Sequence, residues 1–153
     1  MGTSVIDGTV EAVQLKRKRA GIAIFDTIQF RQNDGTSRTI KKSVSTQAVA
    51  DQLAPGTAGR FYLFNTFDLK GVHGVRRTDG TAVYGFPGTG NRKLFLIIGV
   101  INLAWIALRL ATEGDLPLLG VGLVILGVVG YVLMGKGASE AQAQFDNDPG
   151  PRG

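Results

Sequence analysis

The chain has no cysteine and a single histidine among its 153 residues. That excludes a disulfide framework, a thiolate metal site and a cysteine nucleophile. The histidine, His73 in KGVHGVRR, has no Cys or HExxH spacing beside it from which a zinc site could be built. No metal and no cofactor is expected. Its neighbours Gly71 and Gly74 predict a bend or a close backbone approach within a strand. Acid is also scarce, with twelve Asp and Glu against seventeen Lys and Arg. Asp7, Asp26, Asp34, Asp51, Asp68 and Asp79 are dispersed, and no nucleophile, base and orienting group can be assembled from their spacing. The expectation is that this is not an enzyme. The opening MGTSVIDGTVEAV lacks the basic and apolar regions of a secretory signal. Ile6 stands where a myristoylation motif needs Ser or Thr. The N-terminus is therefore expected to stay on the side where it is made.

What is present is unevenly spread. Residues 1–93 hold fourteen of the seventeen Lys and Arg against seven acids, whereas residues 94–134 hold one Arg and two acids. The apolar part contains LFLIIGVINLAWIALRL (94–110) and LPLLGVGLVILGVVGYVLM (116–134), separated by ATEGD. A spanning helix needs roughly 20 mostly apolar residues, and neither segment has the polar face of a helix that packs on a soluble core. The pattern predicts a two-helix transmembrane hairpin. Arg92 and Lys93 precede the first span and Lys136 follows the second, while Glu113 and Asp115 lie in the loop. The bias of cations toward short cytoplasmic flanks then predicts a multi-pass protein of a bacterial-type inner (plasma) membrane with both termini cytoplasmic.

Within the spans, Gly99, Asn102 and Ile106 share one helical face with Arg109, and Gly120 and Gly127 lie seven apart on the second helix with Gly130 nearby. Small residues let helix backbones approach, and an Asn can hydrogen-bond across a helix pair. These six, Gly99, Asn102, Ile106, Gly120, Gly127 and Gly130, are the candidates for helix–helix or subunit contact.

Ahead of the hairpin, residues 1–87 alternate apolar and polar with period two. Ile22, Ile24, Ile28 and Phe30 share one face, interrupted by Asp26, where a bulge that turns the carboxylate outward is expected. NDG (33–35) and TDG (78–80) are hairpin turns. Ser45 is placed to cap a helix over TQAVADQLA, ended by Pro55-Gly56. The order of three strands, a helix and three more strands predicts a mainly β domain, a small OB-like barrel with one helix. FPGTGNRK lacks the Lys-Ser/Thr ending of a phosphate loop, so 88–93 is a linker. The tail, 135–153, is rich in Gly, Asp and Pro toward its end and is expected to be disordered.

The sharpest local feature is the run Lys16, Arg17, Lys18, Arg19, placed in the connection between strands one and two. If strand four runs in the same direction as strand three, counting strands puts this run, and the 65–70 loop, at the end from which the chain leaves for the bilayer. Basic residues close to an anionic leaflet are each worth about 1 kcal/mol. Lys16 to Arg19, with Arg92 and Lys93, are thus the candidates for lipid or anion contact. Nucleic acid is a weaker expectation, because single-strand binding also wants exposed stacking aromatics. The leading expectation is a non-catalytic interaction module, either an accessory subunit of a larger membrane complex or a homo-oligomeric scaffold. Its partners would be the bilayer and a membrane protein or a second copy. The alternative is a tethered barrel that binds lipid head groups or nucleic acid through Lys16–Arg19.

Overall fold

A computed structural model describes residues 2–66 and 68–150, the side chains of 89–91 excepted. The chain forms two units, Met1–Pro87 together with Ser139–Gly153, and Gly88–Ala138.

The first unit is a closed β-barrel of five strands, with a sixth short strand on the outside of the fifth. Strands β1 (Gly2–Arg19), β2 (Ile22–Gln32) and β3 (Ser37–Thr46) form a meander, followed by the one-turn helix α1 (Gln47–Ala50). Strands β4 (Ala58–Asn65) and β5 (Lys70–Arg77) complete it, and the three-residue β6 (Ala82–Tyr84) adds to β5. The sheet order is β3-β2-β1-β4-β5-β6, closed by a parallel pairing of β3 with β5. That circuit is the expected OB-like arrangement. The long β1 serves both halves, pairing with β4 over Gly2–Thr9 and with β2 from Gly8 onward. Ile6, Val10, Phe25, Ile28, Phe30, Phe61, Val72 and Val75 fill the barrel, and Val49 and Leu53 plug it.

Three local expectations change. Strand β4 is antiparallel to β1 and therefore does not run with β3. The helix is a single turn with Thr46 at its N-cap, and Ser45 is a buried member of β3. The apolar Val49 and Leu53 need only one turn and the bends after it to reach the core. The bulge at Asp26 exists, because the β1–β2 register shifts between Gln14 and Leu15, and it has a consequence for the neighbouring residues. Ala23 and Phe25 point inward before it, Ile28 and Phe30 after it. An extra residue reverses the side-chain phase, so Ile22 and Ile24 fall on the outer face, half-buried. A similar step occurs on the neighbouring strand, where Lys42 adopts a left-handed φ of 52°.

The second unit holds one helix and most of another, whose last turns belong to the first unit. α2 (Thr89–Glu113) begins inside the expected linker and ends at Gly114, whose φ of 71° is the usual left-handed helix stop. α3 runs Leu118–Asn147. Both are long and apolar enough to cross a membrane. α3 does not stop at Met134. Its 30 residues measure about 45 Å at about 1.5 Å per residue. The expected disordered tail is helical to Asn147 and described to Gly150; residues 151–153 lie outside the described residues. Ala138–Gln144 are mostly good helix formers, and Ala141 and Phe145 are buried, so this stretch has both propensity and a surface to pack on.

Candidate functional site

The cations Lys16 to Arg19 are the last residues of β1 itself, and the connection is only Ala20-Gly21. Both turn residues have positive φ, 48° and 77°, the geometry of a two-residue turn that matches strand twist. Opposite them, Arg17 pairs with Ile24, Lys18 with Ala23 and Arg19 with Ile22. Beyond Val10, β1 has β2 as its only paired strand among the described residues, so this ribbon has one free edge. Lysines and arginines on such an edge also discourage strand-to-strand aggregation.

Leu15 through Gly21 are all exposed. Lys16 reaches Asp26 at 3.6 Å, both side chains well solvated, a pair of little energetic weight. The other three cations have no carboxylate partner among the described residues. Cross-strand pairs share a face, so Arg17 and Arg19 lie with Ile22 and Ile24, and β3 continues that face with Val44 and Thr46. The arrangement is a positively charged surface interleaved with aliphatic side chains.

The ribbon turn and the point where the chain leaves the barrel are neighbours. The Gln47 N–H donates to the Gly21 carbonyl at 2.8 Å, and the α-carbon of Gly85 packs against the Thr46 side chain. The strand count that put the cations at the exit end fails with the direction of β4; what links the ribbon turn to the exit is the Thr46-Gln47 corner that touches both. The 65–70 loop lies elsewhere, beside Lys42 and Val44.

In the helical unit, the Arg92 guanidinium stacks on the Tyr131 ring, 4.2 Å from its centroid, while Lys93 is exposed. Of the six candidate contact residues, Gly99, Ile106, Gly120, Gly127 and Gly130 lie where α2 and α3 meet. A Cβ at Gly120 would meet Trp105 and Ile106, one at Gly127 would meet the backbone of Phe95 and Gly99, and one at Gly130 would meet the Phe95 ring. Asn102 donates to the Ile98 carbonyl of its own helix at 2.8 Å, so its amide is occupied locally.

A second cluster was not singled out from the sequence. On the outside of β4 and β5, the bulge residue His73 is fully buried among Tyr62, Phe64 and Tyr84. Phe145 closes over it, edge-on to Tyr62 at 5.0 Å and beneath the Arg76 guanidinium at 4.2 Å. Arg76 also donates to the Phe145 carbonyl at 2.9 Å. Arg60 bonds Asp148 at 2.7 Å and Asp7 at 2.9 Å. Burial pulls the Arg60 pKa down, but these two carboxylates outweigh it and hold it raised. Burial pushes the His73 pKa down to about 4, against a smaller opposing effect of the Ala141 carbonyl. Gly71 and Gly74 supply the close approaches expected of them, Gly71 against the Val44 backbone and Gly74 against the Phe145 ring. The signal for this cluster was present in the tail: Ala138, Ala141 and Phe145 recur at helical spacing in an otherwise polar stretch.

Comparison with protein-family models, with curated proteins and with solved structures gives no match.

Proposed function

We propose that the chain is a non-catalytic interaction module of a bacterial-type inner membrane. The helical pair crosses the bilayer with both chain ends cytoplasmic, and the barrel engages anionic lipid head groups through Lys16–Arg19. The observation that carries this is the β1–β2 ribbon, with four exposed cations and the aliphatic Ile22 and Ile24 on the face of Arg17 and Arg19. Head groups attract the cations at about 1 kcal/mol each within a Debye length of about 8–10 Å. The aliphatic neighbours suit the boundary between head groups and acyl chains.

The test is amide exchange of the full-length protein in nanodiscs of neutral lipid and of lipid with anionic phosphatidylglycerol. Residues 15–24 should exchange more slowly in the anionic discs, and high salt should remove the difference. Replacing Lys16, Arg17, Lys18 and Arg19 together by Ser should abolish it. Equal exchange in both lipids overturns the assignment.

A second reading, an accessory subunit of a membrane complex, draws on the helical unit. An apolar cleft of about 140 Å³ opens beside Gly99 and Gly127, walled by Leu103, Val124 and Val128, and would accept side chains of another helix. A fixed-stoichiometry partner retained in mild detergent, and lost with Val124→Trp, would support it. A lone monomer in mild detergent would remove it.

A further inference from the structure

The barrel is closed by little. β3 meets β5 through one paired position, Val44 with Gly71, and Gly71 is a glycine because the Val44 backbone occupies the space of any side chain. Ahead of Val44 the strand turns away. Lys42 takes a left-handed backbone, uncommon for a non-glycine residue and a conformation that persists only where the surroundings enforce it. From Ser37 to Lys42, β3 has β2 on one edge and no strand on the other among the described residues.

Two clefts follow that open edge. One, of about 290 Å³, runs between Arg38 and Ile40 on β3 and Ser4, Asn65 and Lys70 on the facing strands. The other, of about 170 Å³, continues from Asn65 and Lys70 to Lys42. Arg38, Ile40 and Lys42 alternate along β3 and all line the opening. Arg38, Lys42 and Lys70 have no carboxylate partner among the described residues; Arg38 makes one long bond, 3.4 Å, to the Ser4 hydroxyl. The only acid in either lining, Asp68, already accepts from the Thr66 hydroxyl at 3.0 Å. The floor is apolar, with Phe64 only 2 % exposed.

We infer that this seam is a docking site for an extended acidic peptide segment of a partner protein. The segment adds as a strand to the free edge of β3 between Ser37 and Lys42. Strand addition supplies affinity through main-chain hydrogen bonds, and alternate side chains supply selectivity. Here every second side chain of the guest faces the row of Arg38, Lys42 and Lys70, so carboxylates at alternate positions match it. The side chains between them point to the opposite face, away from Ile40. A single-stranded oligonucleotide would match the charge but not the surface, since base stacking needs an exposed ring and Phe64 is covered. The site is separate from the β1–β2 ribbon and does not depend on the lipid assignment.

The experiment is fluorescence anisotropy on the full-length protein in detergent, with an end-capped, labelled Asp-Val-Asp-Val-Asp-Val peptide as probe. The wild type binds it saturably and binds the Ser-Val repeat at least about tenfold more weakly. Arg38→Ser with Lys70→Ser weakens the Asp-Val peptide by about tenfold or more. Replacing Lys16–Arg19 by Ser leaves it unchanged. N-methylation of alternate peptide nitrogens abolishes binding, which charge attraction alone would not produce. Both double-variant positions are exposed, and an unchanged thermal melt verifies the fold. Four results overturn the proposal: no saturable binding, an equal loss on the ribbon variant, tolerance of N-methylation, or tighter binding of hexathymidylate.

Discussion

His73 sits in the barrel's outer aromatic cluster without a strong hydrogen bond of its own. Tyr62, Phe64 and Tyr84 surround it on the barrel side, and Ala141 and Phe145 of α3 cover it. Its pKa of about 4 lies below the value of about 6.5 for the unfolded chain. The unfolded state therefore binds the extra proton first. The stabilisation of the neutral, buried form is complete above pH 6.5 and is lost as pH falls toward 4, by an amount of about 3 kcal/mol. The protection of the amides at 139–147, taken relative to the intrinsic exchange rate at each pH, should fall across that interval as the helix end loosens from the cluster. His73→Leu keeps the volume and removes the proton site, so its protection factors should be flat over the same range. A slope that survives the substitution would assign the pH dependence to other groups.

At the scale of elements, the helical pair is held close by glycine, and two glycines one helical turn and a half apart should behave oppositely. A Cβ at Gly127 would stand 3.1 Å from the Phe95 carbonyl oxygen and 3.3 Å from the Gly99 α-carbon. Backbone cannot move aside as a side chain can, so Gly127→Leu should force α2 and α3 apart at a cost of about 1–3 kcal/mol or more. A Cβ at Gly122 meets nothing within 4 Å, and Gly122→Leu should be neutral. Thermal unfolding in detergent should rank wild type and Gly122→Leu together and Gly127→Leu well below. The same scale explains what was legible in the sequence. Alternation, the two turn signals and the apolar runs were enough for the barrel and the helices. The glycine spacing was enough to single out residues on the α2–α3 interface. The face of Ile22 and Ile24 was not legible, because one extra residue at Asp26 inverts the phase and no local rule says on which side of it the core lies. The strand direction of β4 was not legible either, since it follows from pairing with a distant strand. The ordered end of α3 was hidden for a related reason. Gly135 and Gly137 look like a helix stop, and only the barrel surface under Phe145 shows why the helix continues.

For the molecule as a whole, the absence of cysteine makes the proposed topology open to a direct experiment. Asp34 and Asp115 are exposed, and so is Asn147, so a single thiol at each can be introduced into a chain that has no other. Asp34 lies in the β2–β3 turn of the barrel, Asp115 between the two helices and Asn147 at the end of α3. With both termini cytoplasmic, Asp115→Cys should react with a membrane-impermeant maleimide added to intact spheroplasts. Asp34→Cys and Asn147→Cys should react only after permeabilisation. The cation bias around the two spans underlies that expectation, and more than the orientation depends on it. Only a cytoplasmic barrel faces the anionic lipid surface that the β1–β2 ribbon is proposed to bind, and only there would it meet cytoplasmic acidic segments at the open edge of β3. Labelling of Asp34→Cys from outside, with Asp115→Cys protected, would reverse the topology and remove the setting in which both binding proposals operate. Labelling of all three from outside would show that the helices do not cross a bilayer, and the apolar surface of α2 and α3 would then have to be covered by protein.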